Sequence, residues 1–443
     1  MNPIQRFLRT TRFEDLPVPV REQALRCLRD LVATAVAGSL THLAAIVQRH
    51  AQQQFAAPVT GPRARPLLGG HAVSVSGAAL VGAMSIDAMD AHDGHRLTKG
   101  HVGCALLPAL VALLEASDTN PSGRQFLTLL AAGYEIGTRA GIALHATAPD
   151  YHTSGAWNAV NCAALGAHLL GADEQQFEQA IGIAEYHGPR SQMMRGVDHP
   201  SMLKDGSGWG SMAGVCAAFL AMDGFTGAPA LTVRSPEVAA VWEDLGRRWL
   251  ILDQYFKPYP CCRWAHPAID AALSLTRQRR IPTDAIERIE VHTFHAATRL
   301  NQGRPATTEQ AQYATAFPIA AALVHGQVGV EQIDGPGLDD PVVLALTQRI
   351  ALVESAPYTS RFPAERWAHV RLQLKDGTLL ESTPHTARGD PEQPLGDDLL
   401  HAKYTALTRP IWGEAKSQRV MATIMALAEP GSTFAGLLES LRH

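Results

Sequence analysis

Between residues 80 and 222 the chain carries a series of helical segments, several with apolar residues on nearly every side, and this constrains the fold more than any other feature. A helix with no polar face is stable in water only inside a large core, so these segments must pack chiefly against one another. They read as residues 80–89, 102–117, 122–145, 155–170, 174–186 and 207–222. Gly, Ser or a charge interrupts the longest apolar stretches well short of a membrane span. Gly206, Gly210 and Gly214 recur at steps of four, a stripe of small residues along which a neighbouring helix can approach closely. Residues 20–38 and 40–54 add two helices with apolar positions three and four apart, and 67–78 reads as a Gly/Ser-bearing connection.

The texture changes after Pro258. Residues 289–293 (IEVHT) alternate as a strand, and 367–374 and 379–383 flank the turn signal Asp376-Gly377, which predicts a hairpin. Helical patterns at 316–325 and 341–349 fall between them, and 397–407 and 417–427 return to helix. The expected fold is therefore mainly α. A large all-α helical domain is formed by both chain ends, 1–264 and 396–443, and a smaller α+β domain spans 265–395. A length of 443 residues accommodates both.

Where one apolar run ends and the next begins stands DAHDGHRLTKGHVG, residues 90–103. It holds Asp90, Asp93, His92, His95, His101, Arg96 and Lys99, a density of titratable groups that suits proton transfer, because burial and mutual charge push their pKa values apart. Four candidates share a second property. His101, His152, Lys204 and His266 each stand at the start of a predicted helix, where unpaired N–H groups and a partial positive charge favour an anion. If those starts converge, they form a pocket for a substrate with several carboxylates.

Other chemistries lack their signals. There is no GxGxxG after a strand, no Walker A and no GxSxG elbow, so no organic cofactor is expected. The six cysteines form no CxxC pair, no HExxH is present, and no metal is expected; adjacent Cys261 and Cys262 are candidates for pocket lining. A formal net charge of -4 offers no field for nucleic acid or an anionic membrane. With 46% hydrophobic residues, mean hydropathy near zero and no apolar leader in MNPIQRFLRTTRFEDLP, the protein is expected to be soluble and cytoplasmic.

Taken together, LRDLVATAVAG, AHDGHRLTKGHVG, YHTSGAWNAV, MLKDGSGWGSMAG, FKPYPCCRWAHPAID, TTEQAQYATAFPIAAALVHG and GDPEQPLGDD, in this order, resemble the MmgE/PrpD family over nearly the whole chain. That family includes 2-methylcitrate dehydratase, cis-aconitate decarboxylase and iminodisuccinate epimerase. The resemblance implies the two-domain arrangement above with the smaller domain as a lid, a homodimer, and catalysis on a small carboxylic acid without an organic cofactor or required metal. By motif it assigns Asp90, His101, His152, Lys204 and His266 to catalysis; Asp93, His95, Arg96, Tyr151, Arg263 and Phe317 are the further residues expected around the substrate.

Three departures from the family pattern stand out. His92 takes the place of one member of an acid pair, Gly94 stands where the decarboxylase branch has a threonine, and Phe317 stands where the family has a tyrosine, with Tyr313 four residues earlier. The expected mechanism has Lys204 and His266 hold carboxylates, His101 and His152 act as acid and base, and Asp90 fix an imidazole's tautomer. The expected reaction is that of a lyase, with an epimerase or isomerase and a non-catalytic carboxylate binder as alternatives. Specificity is expected in the loops 185–198 and 302–313.

Overall fold

A computed structural model describes residues 1–117, 119–278, 281–300 and 303–443; Gln302, the first residue of the second expected specificity loop, lies outside them. The fold is mainly α-helical. The apolar segments form the helices Val75–Asp87, Gly103–Ala116, Gly123–Thr147, Ser154–Leu169, Glu174–His187 and Ser207–Met222, each within a few residues of its predicted bounds. The largest shift is at Val75, where Ser74 caps the helix by accepting a hydrogen bond from the Gly77 amide and starts it inside the expected connection.

The helices beginning at Ser154 and Ser207 lie backbone against backbone. A Cβ on Gly210 would come within 2.3 Å of the Gly155 carbonyl oxygen, and one on Gly214 within 2.4 Å of the Ala159 carbonyl. No side chain fits between them, so the glycine stripe sets the helix separation. The Val18–Gly38 helix packs against the C-terminal Asp397–Met425 stretch, which is broken at Gly413 (φ 72), and the rings of Phe126 and Phe434 stack 5.4 Å apart.

The β-rich part is a five-stranded sheet. Ile286–Thr293 pairs in parallel with Ile350–Glu354 (Val291 opposite Leu352) and antiparallel with Trp367–Leu374 (Val291 opposite Val370). The predicted hairpin follows, Leu372 opposite Leu380, with Gly377 at φ 86 in its turn. Ile350–Glu354 extends beyond the expected elements: IALVE is only half-buried and lacks strict alternation, so its pairing decides its conformation. The helices His266–Gln278 and Ala316–His325 cover this sheet, and their shared core reaches Ala33 and Ala37 of the Val18–Gly38 helix.

Candidate active site

Three helix starts meet at Ser154. Its Oγ accepts a hydrogen bond from the His101 amide at 2.9 Å and donates one to Oδ2 of Asp205, while the Gly155 amide donates to the Asp205 carbonyl at 3.1 Å. Asn158, one turn into the same helix, donates from Nδ2 to the His101 carbonyl at 2.7 Å. The segments leading into the helices at Gly103, Ser154 and Ser207 are thus tied together, as the anion-pocket expectation requires. The helix at His266 approaches through Arg263, which lines the same narrow cavity.

That cavity, of about 30 Å³, is bounded by Asp90, Lys99, His101, Tyr151, Asp205, Tyr255, Lys257, Cys262, Arg263, Trp264, Tyr313 and Arg366. Asp90, Lys99 and Lys204 have φ of 49, 50 and 50 and are the three non-glycine residues with positive φ among the described residues. Such conformations cost on the order of 1–3 kcal/mol each and gather where a site over-determines them. Here all three belong to one cluster.

His101 is held in one tautomer. Its Nδ1 lies against the Asp93 carbonyl oxygen, which can only accept, so the proton sits on Nδ1 and leaves Nε2 without a hydrogen-bond partner among the described residues. Burial, the edge-on ring of His92 at 4.3 Å and the charge of Lys257 hold its pKa well below the ordinary histidine value. Asp205 has the opposite character: burial and the neighbouring Asp87 carboxylate raise its pKa, although its bonds with Ser154 act the other way. An imidazole that resists protonation and a carboxyl that resists ionisation therefore line one cavity.

Asp90 forms a fully buried ion pair, with Lys257 Nζ 2.7 Å from Oδ1 and 3.0 Å from the Asp90 carbonyl. Burial alone would raise the Asp90 pKa, but Lys257, with Lys204 and His92, holds it well below the carboxylate range. Lys204 donates to Oε1 of Gln312, whose Nε2 is anchored on the Ala88 carbonyl at 3.0 Å, and its ammonium lies 4.9 Å from the Tyr313 ring centroid. Lys204 lines a larger neighbouring cleft of about 870 Å³ rather than the narrow cavity itself, which it adjoins through Tyr313. The Met193–Asp198 helix stands between the two spaces, with Met193 and Val197 on the narrow cavity and Arg195 and Asp198 on the cleft.

Several expectations are corrected. Asp90 binds Lys257 rather than an imidazole, and the backbone of Asp93 sets the His101 tautomer. His266 is fully buried and engaged through both nitrogens, Nε2 with the Cys261 carbonyl at 3.0 Å and Nδ1 with Arg263 Nη1 at 3.3 Å. Burial and Arg263 depress its pKa, so it is a neutral support for Arg263, not a cation for substrate.

His152 does not line the narrow cavity; its Nδ1 donates to the Asp150 carbonyl at 2.8 Å and its amide to His145. Phe317 is buried in the core beneath the sheet, whereas Tyr313, four residues earlier, lines the cavity. Gly94 has no room for threonine: a Cβ would lie 2.5 Å from the Tyr255 hydroxyl and 2.7 Å from His101 Nδ1.

The remaining positions divide similarly. Tyr151 lines the cavity, and its hydroxyl donates to the Lys99 carbonyl. Arg263 is buried there, binding Asp390 at 2.8 Å and the carbonyls of Ala387 and Arg388. Asp93 lies behind the cavity, accepting from Tyr134; burial and Asp30 raise its pKa to about 7. His95 is buried in the short Gly94–His95 pairing with Gln254–Tyr255, where burial and Arg96 lower its pKa to about 3, and Arg96 pairs outward with Glu392 at 2.5 Å.

Lys257, Asp205, Tyr255, Trp264 and Arg366 are lining residues that the sequence did not single out. Lys257 had a signal, a lone lysine between Phe256 and Pro258 in the same segment as Arg263 and His266. Arg366 had none. Of the adjacent cysteines, Cys262 lines the cavity and Cys261 lies behind it.

Comparison with known families places this arrangement. The MmgE/PrpD N-terminal domain matches residues 2–242, and the MmgE/PrpD C-terminal domain matches residues 259–428. The chain belongs to the MmgE/PrpD family. As a member of it, the chain is similar to the cis-aconitate decarboxylase-like protein oryM of Aspergillus oryzae, at 25% identity over 93% of this chain and 91% of the relative. The residues at the cavity come from both MmgE/PrpD domains, Asp90, His101 and Asp205 from the first and Arg263, Tyr313 and Arg366 from the second.

Proposed function

We propose that this protein is a lyase of the dehydratase or decarboxylase type, acting on a small di- or tricarboxylic acid at a carbon next to a carboxylate. The observation that carries the reading is His101, an imidazole with its proton fixed on Nδ1 and its Nε2 unpaired among the described residues, in a cavity that also holds the buried Lys257–Asp90 pair and Asp205, whose pKa burial and Asp87 raise. Removing a proton beside a carboxylate puts a second negative charge on that group, so fixed cations must stand ready. Lys204 and Lys257 supply them. His101 takes the proton, Asp205 donates one to the leaving group, and the Tyr313 hydroxyl offers a hydrogen bond to the substrate.

At about 30 Å³ the cavity holds only a few waters, so a polycarboxylate gains access when the walls part. The Met193–Asp198 helix, shared with the larger cleft, is the wall we assign to that movement. The relative's name favours decarboxylation among the lyase outcomes. A base and an acid in one cavity would equally serve epimerisation, which is the second reading.

The proposal extends to the assembly. The packing of the C-terminal helices on the Val18–Gly38 helix supports a helical unit of 1–264 with 396–443 around a lid of 265–395, and family resemblance supports a cytoplasmic homodimer.

The test is incubation in deuterium oxide with citrate-like, aconitate-like and iminodisuccinate-like acids. An absorbing alkene or released carbon dioxide is expected, with Lys204→Ala folded but inactive. Solvent deuterium at an α-carbon without elimination would shift the assignment to the epimerase. No reaction with any of these acids, or full turnover in Lys204→Ala, would overturn the mechanism.

A further inference from the structure

Arg366 stands just before the Trp367–Leu374 strand and is only 3% exposed, its guanidinium 6.0 Å from the Phe362 ring centroid, yet its Nε and Nη1 have no hydrogen-bond partner among the described residues. It makes no ion pair among the described residues. A buried guanidinium without an anion is among the least favourable states a side chain can occupy, so the position requires a ligand to complete it. Lys99 lines the same cavity. Its ammonium lies 4.4 Å from the Tyr151 ring centroid and likewise has no carboxylate partner among the described residues. The two cations also sense each other: Lys99 has its pKa lowered by burial and by Arg366. Arg263, the other guanidinium at the cavity, is by contrast committed to Asp390 and two carbonyls.

We propose that Lys99 and Arg366 form a subsite for a substrate carboxylate remote from the carbon that reacts at His101, so that the site selects acids with at least two carboxylates. This rests on the reading of the cavity as a carboxylic-acid site and specifies which residues set the chain of acids it accepts. Lys204 and Lys257 hold the carboxylate beside the reacting carbon. Arg366, with two N–H groups unspent, grips the remote one bidentately, and Lys99 adds a point charge.

The experiment is calorimetric titration of the full chain with three acids that lack a hydroxyl to eliminate: butyrate, glutarate and propane-1,2,3-tricarboxylate. Wild type should bind glutarate and the tricarboxylate roughly 100-fold tighter than butyrate, and Arg366→Gln should lose roughly 10- to 100-fold for both while leaving butyrate unchanged. Arg366→Lys should recover part of the loss, and Lys99→Met should show a smaller one. Because Arg366 gives up no internal hydrogen bond, these variants should keep the wild-type near-ultraviolet circular dichroism. Glutarate binding at wild-type strength in Arg366→Gln would overturn the subsite and leave the lyase reading standing. Wild type that binds none of the three, or does not distinguish glutarate from butyrate, would also overturn it, whereas only the turnover assay bears on the reaction itself.

Discussion

Removing Lys257 should damage the protein through Asp90. The two charges lie 2.7 Å apart with side chains only 1% and 4% exposed, so at an effective dielectric of about 20 their attraction is about 6 kcal/mol. Most of that only offsets the loss of hydration, and the net worth of the pair is small; what is large is the effect of stranding one partner. Lys257→Met keeps the apolar stem and leaves a buried carboxylate alone, which should destabilise by about 3–5 kcal/mol.

Asp90→Asn keeps the shape and tolerates the positive φ of 49, but strands the ammonium at similar cost. In the double variant neither charge remains, so its loss should fall short of the sum of the singles by about 2–3 kcal/mol. Urea unfolding of the four proteins measures this directly. Singles that add to within about 0.5 kcal/mol would show that the pair is not coupled and that Asp90 is held by something else.

Two further outcomes follow from the site's geometry. Because burial, His92 and Lys257 lower the His101 pKa, its base form persists as pH falls, and the acidic limb of kcat/KM should lie well below the ordinary histidine value of about 6.5; a limb at or above that value would contradict the assigned role, and His101→Gln should cost on the order of 10²–10⁴ in kcat. Gly210→Ala drives a methyl to 2.3 Å from the Gly155 carbonyl, so it should destabilise by about 1–3 kcal/mol and, by parting the helix starts that share Ser154, lower kcat in the steady-state assay; a variant with wild-type melting temperature and rate would refute the packing account.

The sequence by itself determined the helices and the polar knot between them. Apolar residues on every face, as in Gly103–Ala116, leave few alternatives to a core helix, and helical periodicity is a local property that can be read without knowing the partners. The Gly210 and Gly214 spacing carried the close approach for the same reason, since what it encodes is the absence of side chains. Asp90 and His101 were legible within the titratable cluster and Lys204 at a helix start, while Tyr151 and Arg263 could be noted only as neighbours of His152 and His266.

Only the tertiary structure decided who meets whom. Lys257 reaches Asp90 across 167 residues, and the His101 tautomer is set by a backbone carbonyl, a group every residue carries and no sequence distinguishes. His152 and Tyr151 are neighbours in the chain, yet Tyr151 alone lines the cavity; Phe317 and Tyr313 are four apart, yet one enters the core and the other the site. Which side of an element faces inward depends on how it docks, and docking is fixed by the summed packing of distant segments rather than by the residues at the site.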